Sequence, residues 1–259
     1  MNGASLMNMV AAEKNSNVDL ETLKAELNTY GIVIIPDLIS PADAEAAAHR
    51  ITEIMRRQPD ATELDQHLSN VLDFLDPSDY PLFAKLLAHP VCLDLARVLL
   101  GDGFQLTQPG TRWRKPGCGP GPVHITSPIN QFTQAGLPIP NTCFVVPFSW
   151  NLADLTQEMG ATFYMPFSHL SARTPAADMG RKYAVPGTGA AGSLVLHHGG
   201  LWHGFGPNTS PDHARVGFMA GYCASWMNPP AAGYKLMTRR VRDRMPRAVQ
   251  ELNLRVAED

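Results

Sequence analysis

The first hundred residues carry apolar positions at helical spacing. Leu20, Leu23 and Leu27 share one helical face behind Asp19, a capping residue, and Gly31 ends the run. Ile32–Ile35 is a continuous apolar run stopped by Pro36, which predicts a short buried strand. Ser40 and Pro41 combine a cap with proline at the first helical position, and the alanine-rich stretch after them predicts a helix to Arg57. Pro59 to Tyr80 has no clear period and reads as irregular. Pro81 to Leu100 is helical again, broken near Pro90 and ended by Gly101.

Beyond Phe104 the helical spacing disappears. Short strand-like runs follow at Phe104–Thr107, Cys143–Leu152, Thr162–Met165, Ser193–Leu196 and Val216–Cys223, separated by turn residues. That pattern predicts a compact barrel or sandwich, so the chain reads as α+β with a mainly β core and flanking helices. Arg239 to Leu254 predicts a closing helix. Residues 1–17 are small and polar and predict a flexible tail, leaving 18–259 as one domain. From Pro109 to Pro147 there are eight prolines and five glycines, too many breakers for a hairpin, which predicts a lid or binding loop.

Composition narrows the function classes. Of the 259 residues 44% are hydrophobic and 17% charged, the balance of a folded globular protein, and the net charge of -3 gives no reason to expect nucleic acid. Cys92, Cys118, Cys143 and Cys223 form no close pair, which suggests reduced thiols and a cytoplasmic setting. Neither a secretion signal nor a membrane span is expected.

The histidines are clustered. His197, His198 and His203 fall within seven residues after the run Ser193–Leu196, and on a strand only one of His197 and His198 can face a given side. His203 follows a Gly-Gly turn and Trp202 and precedes Gly204, Pro207 and Asn208. Arg215 lies twelve residues later at the start of another strand-like run. A buried arginine there needs an anion, because an unpaired buried charge is costly.

The stretch Gly192–Ser210, with Arg215, resembles the C-terminal signature of the phytanoyl-CoA dioxygenase family. Met159–His169 resembles its Asn-Gly-x-Thr…Pro-Gly-Ser-His segment. Gly31–Pro36, His89-Pro90 with Leu99–Gly101, and Lys115–Gly117 ahead of His124 follow the same pattern, and the likeness covers roughly residues 20 to 230. It implies a double-stranded β-helix (jelly roll) and an oxygenase that uses Fe(II), 2-oxoglutarate and dioxygen on a small organic substrate, in secondary metabolism by one reading. By position His124 and His203 would be iron ligands. Arg215 and Thr162 would hold 2-oxoglutarate, with Lys115 and Asn208 nearby. His198, Trp202, Phe205 and Asp154 would stand around the substrate or behind the ligands.

Three positions depart from the family. Its His-x-Asp motif is His124-Ile125-Thr126 here, which removes the carboxylate of the facial triad. Phe205 stands where Ser or Gly is usual, and Phe167 replaces the glycine of Pro-Gly-Ser-His. Three readings follow from Thr126: iron held by two histidines and 2-oxoglutarate with a Thr126-bound water; a halogenase with halide in the open position; or loss of the metal, leaving a binding protein or the inactive partner of an active homologue. The assemblies to expect are a homodimer or a heteromer with such a homologue. Asp154 and Glu158 are the candidates for a substitute carboxylate.

Overall fold

Gly31 makes the first corner. Helix α1 (Leu20–Tyr30) starts at Asp19, whose carboxylate accepts the Glu21 N–H, and ends at Gly31 with a φ of 81°. That left-handed turn, which favours glycine, delivers the chain into strand β1 (Ile32–Ile35). Helix α2 (Pro41–Arg56) is capped by Ser40. Helices α3 (Tyr80–Leu87) and α4 (Pro90–Leu100) separate where Pro90 begins the second. The computed structural model describes residues 19–107, 109–126, 132, 134–138, 140, 142–227, 237–252 and 256–257, so the tail expected over 1–17 lies outside the described residues.

The strands after β1 are β2 (Asp65–Ser69), β3 (Gln105–Leu106), β4 (Gly110–Arg114), β5 (Val145–Asn151), β6 (Thr162–Tyr164), β7 (Val185–Pro186), β8 (Leu194–His197), β9 (His203–Phe205) and β10 (Arg215–Cys223). Among the described residues they form a larger sheet in the order β1-β8-β5-β10-β4-β2, with β3 also on β10, and a smaller sheet β7-β6-β9. Every pairing is antiparallel. This is the mainly β, helix-flanked core of a double-stranded β-helix.

The two-residue period of a strand decides what each sheet face carries. One face of the larger sheet, with Val33, Leu194, Leu196, Phe148, Trp150 and Phe218, packs on Leu27, Ile51, Met55 and Phe83 of the helices. Hydrogen bonds fix the contact: the Trp150 indole donates to the Leu86 carbonyl at 3.0 Å and the Tyr222 hydroxyl to the Leu87 carbonyl at 2.6 Å. The opposite face looks toward the smaller sheet. It carries Val195, part of a second apolar cluster with Tyr164, and the registers Arg215↔Arg114 and Asp65↔Arg114 put those three residues on it as well.

Three expectations need correction. The segment Pro59–Tyr80 contains β2 and short 3-10 turns. Its strand was hidden because Asp65, Gln66 and His67 give no apolar alternation; Asp65 faces arginines, and buried Gln66 donates to the Met55 carbonyl. The breaker-rich segment after Pro109 begins with β4, so it is not all loop. The closing helix is two short ones, α5 (Arg239–Arg242) and α6 (Arg247–Gln250), interrupted by Pro246. None of the four cysteines is in a disulfide. Among the described residues no helix is long and apolar enough to cross a membrane.

Gly192 sits ahead of β8 with a φ of 90°, and a Cβ there would run into the Ile39 carbonyl oxygen. Its own carbonyl accepts the Leu38 N–H at 3.1 Å and its N–H donates to Asn151 at 2.8 Å. Gly192→Ala is therefore expected to destabilise the fold by about 2–4 kcal/mol. A urea unfolding midpoint unchanged from the native protein would contradict that.

Candidate active site

The site forms where the proline-rich segment returns to the smaller sheet. His124 and His203 pair as an antiparallel bridge: the His124 N–H donates to the His203 carbonyl at 2.8 Å, and the His203 N–H returns to the His124 carbonyl at 3.0 Å. Residues paired in this way present side chains on one face, and the two imidazole centroids lie 4.3 Å apart. The Nδ1 of His124 hydrogen-bonds the Pro122 carbonyl at 3.1 Å, and that of His203 the Leu201 carbonyl at 2.8 Å. Donation from Nδ1 fixes the tautomer and leaves a lone pair on each Nε2, as a metal-binding imidazole requires. Burial is the main cause that pushes both groups down from the usual histidine range.

A third imidazole stands beside them. His197 on β8 lies 4.4 Å from His203 between centroids, with its Nδ1 on the His198 carbonyl at 3.1 Å. Burial pushes it down to about 3. His198 turns the other way: its ring lies 4.8 Å from that of His169, and its Nδ1 accepts the Gly200 N–H at 3.0 Å. His197 thus occupies the place beside the pair that sequence had given to His198. Among the described residues, no group of three or more His, Cys, Asp or Glu is arranged to hold a metal ion. His124 and His203 supply two imidazoles, and Thr126 brings no carboxylate; its N–H donates to the Gly199 carbonyl at 2.9 Å.

At the other end of the same face, Arg215 opens β10. It is buried and donates from Nη1 to the Gly160 carbonyl at 2.9 Å and from Nη2 to Thr162 Oγ1 at 2.8 Å. Burial pushes this guanidinium down to about 10. Thr162 pairs with Phe205, and Tyr164 with His203, so all four face the same side of the smaller sheet. Tyr164 stacks on His203 at 6.0 Å, and its hydroxyl contacts the Ser149 and Thr162 side chains. A continuous polar track therefore runs from the imidazoles through Tyr164 and Thr162 to Arg215.

Lys115, Asn208, Trp202 and Asp154, also singled out by sequence, lie apart from this track. Lys115 packs over the Trp113 ring at 4.6 Å and donates to the Ala61 carbonyl. Asn208 clamps two loops by donating to the carbonyls of Arg114 at 3.0 Å and His213 at 2.8 Å. The Trp202 indole donates to the Arg173 carbonyl at 2.8 Å. Asp154 accepts the Ala191 N–H at 2.9 Å and braces a turn. Phe205 points inward, its centroid 4.7 Å from the guanidinium carbon of Arg112, 5.0 Å from that of Arg114 and 5.1 Å from that of Arg215. Sequence reasoning missed Arg112, Arg114, Tyr164 and the placement of His197. The alternation of Arg112 and Arg114 with Thr111 and Trp113 was the available signal, a strand whose charged face is the inner one.

A family model for phytanoyl-CoA dioxygenase matches residues 27–217. Dioxygenase af480 of Aspergillus fumigatus is 30% identical over 224 residues, spanning 83% of this chain and 71% of that protein. The uncharacterised protein Rv1501 of Mycobacterium tuberculosis is 27% identical over 217 residues, 78% of this chain and 75% of that protein. Among solved structures, the epimerase SnoN in complex with Fe3+, alpha-ketoglutarate and nogalamycin RO superposes with a TM-score of 0.61 at 18% identity, covering 85% of this chain and 96% of SnoN. HygX of Streptomyces hygroscopicus, with nickel, 2-oxoglutarate and hygromycin B bound, gives 0.64 at 17% identity, covering 82% and 90%. At these identities the two structures establish the fold.

The buried neutral histidines predict a pH dependence. Each has its folded pKa below its unfolded one, so their contribution is fully present above about pH 6.5 and is lost as pH falls toward about 3 for His197. For metal-free protein, His197→Asn is expected to flatten the loss of stability between pH 6 and 4 by roughly 1.4 kcal/mol per pH unit. Urea unfolding across that range checks it; an unchanged slope would contradict it.

Proposed function

Because the chain belongs to the phytanoyl-CoA dioxygenase family of Fe(II)- and 2-oxoglutarate-dependent enzymes, we propose that it oxidises a small organic molecule at an iron held by two histidines. The observation that carries this reading is the single polar track joining His124 and His203 to Arg215 and Thr162. The donor set fits the metal: neutral imidazoles with free Nε2 atoms suit Fe(II). The far end fits 2-oxoglutarate, since a buried guanidinium with no carboxylate bonded to it can take one bidentately. Bound iron and 2-oxoglutarate would together supply dioxygen-dependent oxidation of the substrate.

The chain's own residues then have distinct tasks. Arg215 and the Thr162 hydroxyl bind and orient the far carboxylate of the cosubstrate. The Pro122 and Leu201 carbonyls hold the two ligand rings in orientation. Tyr164 and Phe205 cover the bound cosubstrate and exclude water. Thr126 holds a water where relatives with His-x-Asp place a carboxylate. The crystallised neighbours carry nogalamycin RO or hygromycin B, which favours a secondary metabolite as the substrate class.

A second reading is a homologue without functional iron, favoured by the lack of a third protein ligand among the described residues. Anaerobic reconstitution separates the two. The oxygenase reading predicts close to one Fe(II) per chain and 2-oxoglutarate decarboxylation, with metal lost in His203→Ala. Arg215→Gln should keep iron and weaken 2-oxoglutarate roughly 100-fold. Thr126→Asp should tighten Fe(II) about tenfold or more by restoring a negative ligand. Protein that takes up no Fe(II) would sink the oxygenase reading, and chloride-dependent product would redirect it to halogenation.

A further inference from the structure

The inner face of the larger sheet holds more positive charge than the proposed cosubstrate site uses. The register sets Arg114 opposite Arg215 and Arg112 opposite Gly217, so both guanidinia project beside Arg215 toward Phe205. Arg181, on the loop before β7, instead lies 4.1 Å from the centroid of Phe163, on the opposite face of β6, and donates to the Gly121 carbonyl at 2.8 Å. Against the three guanidinia of Arg112, Arg114 and Arg215, the ion pairs among the described residues supply one carboxylate, Asp65. Both its oxygens are committed to Arg112, at 2.6 and 2.7 Å.

Arg114 is the group left over. It is 1% exposed. Nη2 donates to Cys118 Sγ at 3.0 Å and to the Gly119 carbonyl. Nε and Nη1 have no hydrogen-bond partner, and Asp65 stands 3.9 Å from Nε. A buried guanidinium in that state carries a desolvation cost of several kcal/mol, and stacking on Phe205 offsets only part of it. An anionic oxygen group brought against this face of the sheet would satisfy the free N–H donors. The planar fork of arginine matches a carboxylate or a phosphate.

We propose that Arg114, backed by Arg112 and Asp65, is a second anion-binding group inside the β-core, separate from Arg215, and that it takes a carboxylate or phosphate carried by the organic substrate. The proposal rests on the reading above in assigning Arg215 to the cosubstrate. It narrows the substrate class to anionic organic molecules. Arg114 would hold the charged end while the reacting part lies toward His124 and His203.

The test uses the full chain loaded with Ni(II) and saturating 2-oxoglutarate, titrated by calorimetry with inorganic phosphate and, separately, with acetate. Saturable binding of either probe with 2-oxoglutarate still bound is expected, and the better probe identifies the group preferred. Arg114→Gln should weaken the probe tenfold or more and Arg114→Lys less, while 2-oxoglutarate affinity changes under roughly threefold. The proposal is overturned if neither probe binds, if the probes displace 2-oxoglutarate, if Arg114→Gln binds them as tightly as the native chain, or if it weakens 2-oxoglutarate as much as Arg215→Gln does. Should Arg114→Gln not fold, the competition result on the native chain decides. A chain that binds no 2-oxoglutarate but binds phosphate through Arg114 would defeat the oxygenase reading and leave this one standing.

Discussion

The guanidinium of Arg215 sits inside the β-core with a carbonyl and a hydroxyl as its hydrogen-bond partners. A full charge in that setting is costly unless the fold surrounds it with dipoles and leaves room for an anion. Much of the local structure follows from that requirement. Thr162 must lie on the inward side of β6, and the pairing of Thr162 with Phe205 fixes β9. The same register then sets Tyr164 against His203. Because His203 bridges His124, the position of the proline-rich segment depends on this register too.

The helices serve that arrangement from outside. They bury the apolar face of the larger sheet, and this frees the inner face to be polar. A conventional sandwich would fill that space with aliphatic side chains. Here Val195 gives way to His197 along β8, and β4 turns Arg112 and Arg114 toward the smaller sheet while buried Thr111 and Trp113 face the helix-packed side. Phe205 then has a clear role: its ring lies against three guanidinia and offsets part of their burial through cation–π contact.

Elements with an apolar period or a clear cap were legible in the sequence. The cap at Ser40, the Gly31 turn and the run Ile32–Ile35 appear as read. Strands β2 and β4 were not, because alternation signals a strand only when one face is apolar, and their inner faces carry Asp65, His67, Arg112 and Arg114. The same limit explains the site. His203, Arg215 and Thr162 stood in a long recognisable context and come together in space. The choice between His197 and His198 depended on where β8 ends, a matter of one residue that composition does not encode. Lys115, Asn208, Trp202 and Asp154 carry donors or acceptors that proved to be taken by backbone groups elsewhere.

The most direct measurement of the central claim is a crystal structure of the chain soaked anaerobically with Ni(II), an oxygen-stable stand-in for Fe(II), and 2-oxoglutarate. Metal is expected on the Nε2 atoms of His124 and His203, with no ligand from Asp154 or Glu158, and the far carboxylate of 2-oxoglutarate on Arg215 and Thr162. Metal bound elsewhere, or 2-oxoglutarate bound without Arg215, would contradict it.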